Sequence, residues 1–276
     1  MEIFKRLLFP ISSEFFPEIV INRIEDFIEK FNSKVFVVYI IEEKILRKIE
    51  EVAEPFLTEE QRKRIEKDVI ERNKEIANII FNKLRKHIDF EKKIVIGEFS
   101  DKVIENVKEY EATCVIMGYE KECFLKYRLF EKLHIPIWVE IGKMSKNILG
   151  VCSNLAPNIR VPKITLSLAK KLGYNPFFVY IVDVEEKVEV DEKGNKMKRS
   201  LEELIRKAKK FAEEYGKYAR VEIAVGALEE EIIKFAKRLN ADVIVIGREM
   251  KKRRIFGKGL KKEIADRINH SVFFLN

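Results

Sequence analysis

The chain has few cysteines, few histidines and almost no glutamine, and each shortage argues against a class of protein. Its three cysteines, Cys114, Cys123 and Cys152, show no CxxC spacing and cannot supply a disulfide framework. Its three histidines lie far apart in the sequence without an HExxH motif, so no metal site is predicted. A single glutamine, together with 36% charged residues rich in Lys and Glu, is typical of proteins adapted to high temperature.

Long apolar runs are also missing. No stretch approaches the roughly 20 residues that a transmembrane helix needs. The first residues are charged from Glu2 onwards, and their apolar part is too short for a secretory signal. We therefore expect a cytoplasmic protein with no membrane association. The 46% of apolar residues exclude an extended disordered chain, and 276 residues suffice for two domains.

The sequence contains an internal repeat. Three pairs of segments recur in the same order: 35–43 with 177–185, 94–98 with 223–227, and 113–118 with 242–247. The clearest pair is VFVVYIIEE and FFVYIVDVE. Ordered self-similarity of this kind indicates two copies of one structural unit. The polar connector GKMSK separates them, which predicts domains at 1–142 and 146–276.

Short apolar runs alternate with amphipathic stretches in each copy. Strand and helix alternation predicts βαβ units, and the near-continuous Val, Ile and Phe content suits parallel strands covered on both faces. Each copy should therefore form an α/β, Rossmann-like domain with a five-stranded, parallel, doubly wound sheet. The predicted strands are 6–12, 34–41, 92–98, 113–118 and 135–141 in the first copy and 147–153, 176–182, 221–226, 242–247 and 271–276 in the second.

The last strand of each copy is apolar and would lie at a sheet edge. An exposed apolar edge invites pairing with another strand. We expect 135–141 and 271–276 to pair with each other, forming an intramolecular pseudo-dimer. The sequence does not decide whether two whole chains also form a homodimer. Trp138, in the first of these strands, is expected to pack at this interface and not to bind a ligand.

The order of these motifs resembles the universal stress protein family in its tandem two-domain form. The resemblance rests on the glycine-containing segments around Gly97 and Gly226, on ADVIVIG at 241–247, and on the ending EIADRINHSVFFLN. The resemblance covers essentially the whole chain, twice. It implies an adenine nucleotide α-hydrolase-like fold in both domains.

Family members that bind ATP carry an acidic residue at the end of the first strand and a G-x2-G-x9-G-S/T motif after the fourth. Such glycines let backbone N–H groups approach phosphate oxygens, and the following helix N-terminus favours anions. The resemblance implies that ATP, if it binds, binds in domain 2 only. The candidate residues are Ser153, Val182, Gly226, Gly247, Gly257, Lys258 and Gly259.

The second copy departs from the ATP-binding pattern. Ser153 replaces the acid, Met250 stands at the second glycine, and Gly259 is followed by Leu260 in place of Ser or Thr. A side chain near the phosphates and each lost polar partner cost about 1–3 kcal/mol, which together weaken affinity by several decades unless nearby lysines compensate. The ATP site is therefore predicted to be degenerate.

The first copy departs further. Gly118 remains, but the loop after it is truncated and leaves no glycine cradle, and Ser12 replaces the acid. The pairs Ser12-Ser13 and Ser153-Asn154 stand at the end of the first strand of each copy, where their side chains can accept hydrogen bonds from N–H groups of the following helix. We expect both to be structural caps.

The basic stretch IGREMKKRRIFGKGLKKEI at 246–264 has three interpretations: a solvated loop without a ligand, an altered phosphate site, or a nucleic-acid patch. The last is disfavoured because Phe256 alone makes no stacking platform. A second basic cluster, KMKRS, is better explained by a capping box of Ser200 with Glu203, preceded by a turn at DEKGN.

These features predict a universal stress-type binding or scaffold protein that is non-catalytic. The alternatives are a nucleotide-binding protein using the altered second-domain loop and a slow ATPase. The enzyme hypothesis lacks paired carboxylates and metal-ligand spacing, so no catalytic residue is assigned.

Overall fold

The computed structural model describes residues 1–12, 16–47, 58–118, 129, 132–142, 145–155, 159–185, 188–191, 195–247 and 270–275. Its contacts divide the chain into two compact units, Met1–Ile135 and Pro136–Asn276. Each unit is an α/β domain, as the repeat predicted.

The first unit contains four described parallel strands in the order β3-β2-β1-β4. Strands β1, β2 and β4 are almost fully buried, which confirms that helices cover both faces. The strands are β1 (Arg6–Ser12), β2 (Lys34–Glu42), β3 (Glu91–Gly97) and β4 (Cys114–Gly118), and the helices are α1 (Val20–Phe31), α2 (Glu59–Leu84) and α3 (Phe99–Glu109).

The second unit has five parallel strands in the order β10-β7-β6-β11-β12, followed by antiparallel β5. Its strands are β5 (Ile137–Glu140), β6 (Asn147–Ser153), β7 (Asn175–Val182), β10 (Arg220–Val225), β11 (Val243–Gly247) and β12 (Ser271–Leu275), and its helices are α4 (Arg160–Leu172), α5 (Leu201–Tyr215) and α6 (Leu228–Arg238). One face of the sheet packs against α6 in a continuous apolar core that includes Val151, Ile181 and Phe235.

The predicted pairing of the two last strands is confirmed, because β5 and β12 are antiparallel neighbours with Trp138 opposite Phe273. Their rings lie 5.2 Å apart between centroids, and the Trp138 indole N–H donates to Glu140 at 2.8 Å. The buried Glu140 carboxylate also accepts from the Ser271 hydroxyl at 2.7 Å and from the Gly142 N–H at 2.9 Å. Trp138 is fully buried, so it packs in this strand interface as expected.

This pairing explains where the contact boundary falls. Strand β5 was predicted as the last strand of the first copy, yet its bonds to β12 group it with the second unit. The domain limits 1–142 and 146–276 were placed from the sequence repeat, whereas the contacts within the structure divide the chain between Ile135 and Pro136. The repeat-based limits stay a prediction.

Two short strands form an antiparallel hairpin that the sequence did not predict. They are β8 (Val188–Val190) and β9 (Lys196–Lys198). Beyond the strands, the Asp191 carboxylate accepts from the N–H of Asn195 at 2.8 Å. The predicted capping box that follows is confirmed, since the N–H of Glu203 donates to the Ser200 hydroxyl and the Glu203 carboxylate accepts from the N–H of Ser200.

No helix in the described parts of the chain is long and apolar enough to cross a bilayer.

The central place of β12 leads to a prediction for Phe273→Pro. Proline removes a ladder donor and the aromatic contact with Trp138, so the free energy of unfolding should fall by more than about 3 kcal/mol. Phe273→Leu keeps the donor and should cost only about 1 kcal/mol. Urea titrations followed by fluorescence of Trp138, the single tryptophan, measure both. Equal stability of the two variants would contradict the strand pairing.

Candidate functional site

Four of the predicted ATP-site residues meet at one edge of the second unit. Carboxyl ends of neighbouring parallel strands gather at the same sheet edge. Ser153 ends β6, Val182 ends β7, Gly226 follows β10 and Gly247 ends β11. The N–H of Gly226 donates to the Val182 carbonyl at 3.1 Å, so these two are in direct contact.

The other three predicted residues, Gly257, Lys258 and Gly259, lie outside the described residues. So does Met250 with the rest of the basic stretch from residue 248 to 264. The candidate site is therefore described at its strand ends.

Ser153 acts as the predicted structural cap. Its side chain is 2% exposed, and its hydroxyl accepts from the N–H of Leu155 at 3.2 Å. Ser12 is the residue of the first unit that corresponds to Ser153. It is equally buried, but its hydroxyl has no hydrogen-bond partner within the described part of the chain. Residues 13–15, whose N–H groups Ser12 would cap, lie outside the described residues, so the cap at Ser12 stays a prediction.

Asn154, which the sequence predicted only as a cap of the following turn together with Ser153, connects three segments at this edge. Its side-chain oxygen accepts from the N–H of Asp183 at 2.7 Å, and its side-chain nitrogen donates to the carbonyl of Val188 at 2.7 Å. Its own carbonyl accepts from the N–H of Val190 at 2.9 Å. Because Asn154 is only 1% exposed, these bonds replace water that its amide would otherwise need.

Asp183 performs a second structural task at the end of β7. One carboxylate oxygen accepts from the N–H of Leu228 at 3.0 Å, and the other accepts from the N–H of Glu185 at 3.0 Å. Helix α6 begins after Ala227, which has no side-chain cap of its own. The Asp183 carboxylate therefore supplies the missing acceptor and places a negative charge at the positive end of the helix.

The hairpin covers this edge with a small apolar cluster. Val188 and Val190 pack against Leu155, the residue two positions after Ser153. On the other face of the hairpin, Glu189 forms ion pairs with Lys207 of α5 and with Arg199, whose Nε lies 3.0 Å from a Glu189 oxygen. The hairpin is thus attached to both the sheet edge and α5.

Two glycines at strand ends, Gly97 and Gly118, have structural reasons of their own. A Cβ built on Gly118 would lie 2.2 Å from the Cβ of Pro17 and 2.9 Å from a Val20 methyl. A Cβ on Gly226 would lie 3.2 Å from the Glu231 side chain, which can move. Gly97 has φ of +151°, a conformation that favours glycine. Gly97 and Gly118 therefore need no phosphate to explain them, whereas at Gly226 only a movable side chain opposes a Cβ.

The cysteines of the described residues are inert. Cys114 and Cys152 are buried, and burial raises the pKa of the Cys152 thiol far above its usual range. Burial is also the main reason why the pKa of neighbouring Tyr180 is raised, with smaller contributions from Cys152 and Glu189. Neither group supplies an ionised nucleophile near neutral pH. Cys123 lies outside the described residues. Among the described residues, no group of three or more His, Cys, Asp or Glu side chains could hold a metal ion.

Comparison with known proteins agrees with this architecture. The profile described as the universal stress protein family matches residues 144–268. This match lies in the second half of the chain and covers less than half of the whole sequence, so it shows a likeness of that segment to the universal stress protein family. A universal stress protein of Methanocaldococcus jannaschii is 30% identical over 96 residues. That match covers 33% of this chain and 56% of the relative, so the chain spans little more than half of the relative's length.

Solved structures of the family share the fold over nearly the whole chain. A universal stress protein from Archaeoglobus fulgidus is 14% identical with a TM-score of 0.63, covering 98% of this chain and 96% of its own. A putative universal stress protein from Pseudomonas aeruginosa is 12% identical with a TM-score of 0.64, covering 99% and 94%. At these identities the likeness establishes the α/β fold alone.

The role of Asp183 predicts the effect of Asp183→Ala. The variant leaves the N–H groups of Leu228 and Glu185 without their acceptor, so the free energy of unfolding should fall by about 2–3 kcal/mol. Glu185→Ala removes a carboxylate two residues away on an exposed side chain and should change it by less than about 0.5 kcal/mol. Urea unfolding compares them, and equal effects would show that Asp183 caps nothing.

The packing of Gly118 predicts a contrast between two glycine variants. Gly118→Ala forces a methyl into Pro17 and Val20 and should cost about 2–3 kcal/mol. Gly226→Ala meets only the mobile Glu231 side chain and should cost less than about 1 kcal/mol. Melting temperatures measure the difference, since 1 kcal/mol corresponds to about 2–4 °C in a chain of this size. A Gly118→Ala variant as stable as Gly226→Ala would contradict the packing explanation.

Proposed function

We propose that this protein is a non-catalytic binding or scaffold protein of the stress response, with a degenerate ATP site in its second domain. The observation that carries the proposal is the use of Asn154 and Asp183, whose polar atoms hold the strand ends, α6 and the hairpin together. Atoms engaged in this way cannot serve a ligand without breaking the fold locally. The proposal includes the tandem form of the family, a cytoplasmic location and adaptation to high temperature.

The residue at position 153 is one reason to expect that any nucleotide binding is weak. ATP-binding members carry an acidic residue there, whereas Ser153 offers a single hydroxyl that already accepts from the N–H of Leu155. The Val182 carbonyl likewise accepts from Gly226. A nucleotide would therefore find one charged partner fewer, and each of these two oxygens already shares one of its two lone pairs with a backbone N–H.

The chemistry of the described residues supports a role without catalysis. Ser153 contacts an amide and a backbone N–H, and neither can accept its proton as a general base. The Cys152 thiol stays protonated because burial raises its pKa. A binding or scaffold role requires neither group.

The second candidate is nucleotide binding through the altered loop. The family match extends to residue 268 and so includes the basic loop with Gly257, Lys258 and Gly259. Lysine and arginine side chains could hold phosphates that the glycine loop no longer cradles. A slow ATPase would be a further form of this candidate. A homodimer of the whole chain is compatible with either, and nucleic-acid binding stays disfavoured.

Calorimetric titration with ATP and AMP separates these functions. The degenerate site predicts no measurable heat at about 1 mM nucleotide. Ser153→Asp, which restores the family's acid, should strengthen binding if the crevice is otherwise intact. Micromolar ATP binding that Lys258→Ala or Gly259→Val abolishes would overturn the proposal in favour of the nucleotide-binding candidate. Phosphate release that depends on the same two residues would favour the ATPase.

A further inference from the structure

A pocket of about 210 Å³ lies between the β8–β9 hairpin and the first turns of α5. Its lining consists entirely of charged side chains. They are Glu189, Arg199, Glu203, Arg206, Lys207 and Lys210. Four cations thus face two carboxylates, which leaves an excess of two positive charges.

The two carboxylates are already engaged within the protein. Glu189 is only 16% exposed and pairs with both Lys207 and Arg199. These charged partners outweigh the desolvation of Glu189 and hold its pKa below the usual range, so it is ionised at neutral pH. Glu203 accepts from the N–H of Ser200 at 2.9 Å and lies 3.7 Å from Arg199. Both acids therefore fix the positions of cations on the pocket wall.

The remaining two cations are available to a ligand. Arg206 and Lys210 lie four residues apart on the exposed side of α5, so they project from the same helix face. Neither has a hydrogen bond or an ion pair with any residue that the structure describes. Two unpaired cations beside two positioned ones form an arrangement suited to a multivalent anion.

We propose that this pocket binds a compact polyphosphate group, such as pyrophosphate or the linked phosphates of a small phosphorylated molecule. Arginine presents a planar set of donors that matches phosphate oxygens, and lysine adds a point charge. The pocket is larger than a single phosphate requires and could hold two linked groups. Glu189 and Glu203 keep Arg199 and Lys207 in place, which lowers the entropic cost of binding.

The lining of the pocket includes none of the candidate nucleotide-site residues. Its residues belong to the hairpin, the segment leading into α5, and α5 itself, whereas the candidate site uses the strand ends and the loop containing Lys258. The two can therefore be tested independently, and loss of one proposal does not remove the other.

Titration of the full chain with pyrophosphate at about 50 mM salt tests the proposal. Binding with a dissociation constant below about 1 mM is expected. The double variant Arg206→Ala/Lys210→Ala should weaken it at least about tenfold, since two charge-assisted contacts are lost. Lys209→Ala/Lys237→Ala is the matched control, because it removes the same charge from exposed positions that do not line the pocket. Its affinity should stay within about twofold of the unmodified chain, and melting curves should show all proteins folded.

Three outcomes would overturn the proposal. The first is no binding at about 10 mM pyrophosphate. The second is an equal loss in both double variants, which would mean that only net charge matters. The third is a loss in Lys258→Ala with none in Arg206→Ala/Lys210→Ala, which would assign the anion to the basic loop.

Discussion

The hydrogen bonds between Asn154 and Asp183 are the constraint on which the second unit's sheet edge depends. Asn154 follows the central strand β6, and Asp183 follows β7, so the bonds between the Asn154 side chain and the Asp183 backbone join the ends of two neighbouring strands. From there Asn154 reaches the hairpin, and Asp183 reaches the first turn of α6. Both residues are almost fully buried, so each unmade bond would leave a polar group without water.

This arrangement changes what the edge can do. In an open α/β sheet, ligands bind in the crevice beyond the carboxyl ends of the strands, and the helix N-termini there favour anions. Here the N-terminus of α6 already receives the Asp183 carboxylate, and Leu155, after β6, packs with Val188 and Val190 of the hairpin. The fold is that of the universal stress proteins, while the polar groups at its strand ends serve the structure. The charged pocket lies between the hairpin and α5, and none of the side chains that line it belongs to this network.

The regular elements could be predicted from the sequence because hydrophobic periodicity is a local signal. Strand β6 has the predicted limits, and α5 begins after Ser200, as the capping box predicted. The repeat also identified the apolar strands that pair through Trp138 and Phe273. Three features were missed for physical reasons. The hairpin strands have three residues each, too few to show alternation, and the cap of α6 comes from Asp183, 45 residues upstream. Asn154 was read with Ser153 as part of one turn, and its contacts with Asp183 and Val188 join segments distant in sequence.

Hydrogen exchange at single amides tests most directly whether the edge is held from within. The N–H groups of Asp183, Glu185 and Leu228 each donate to a side chain of the network. The account predicts that all three are protected without any ligand, that about 1 mM ATP leaves their protection unchanged, and that Asn154→Ala exposes the Asp183 amide. Fast exchange of these amides in the free protein, with protection appearing only when ATP is added, would contradict it.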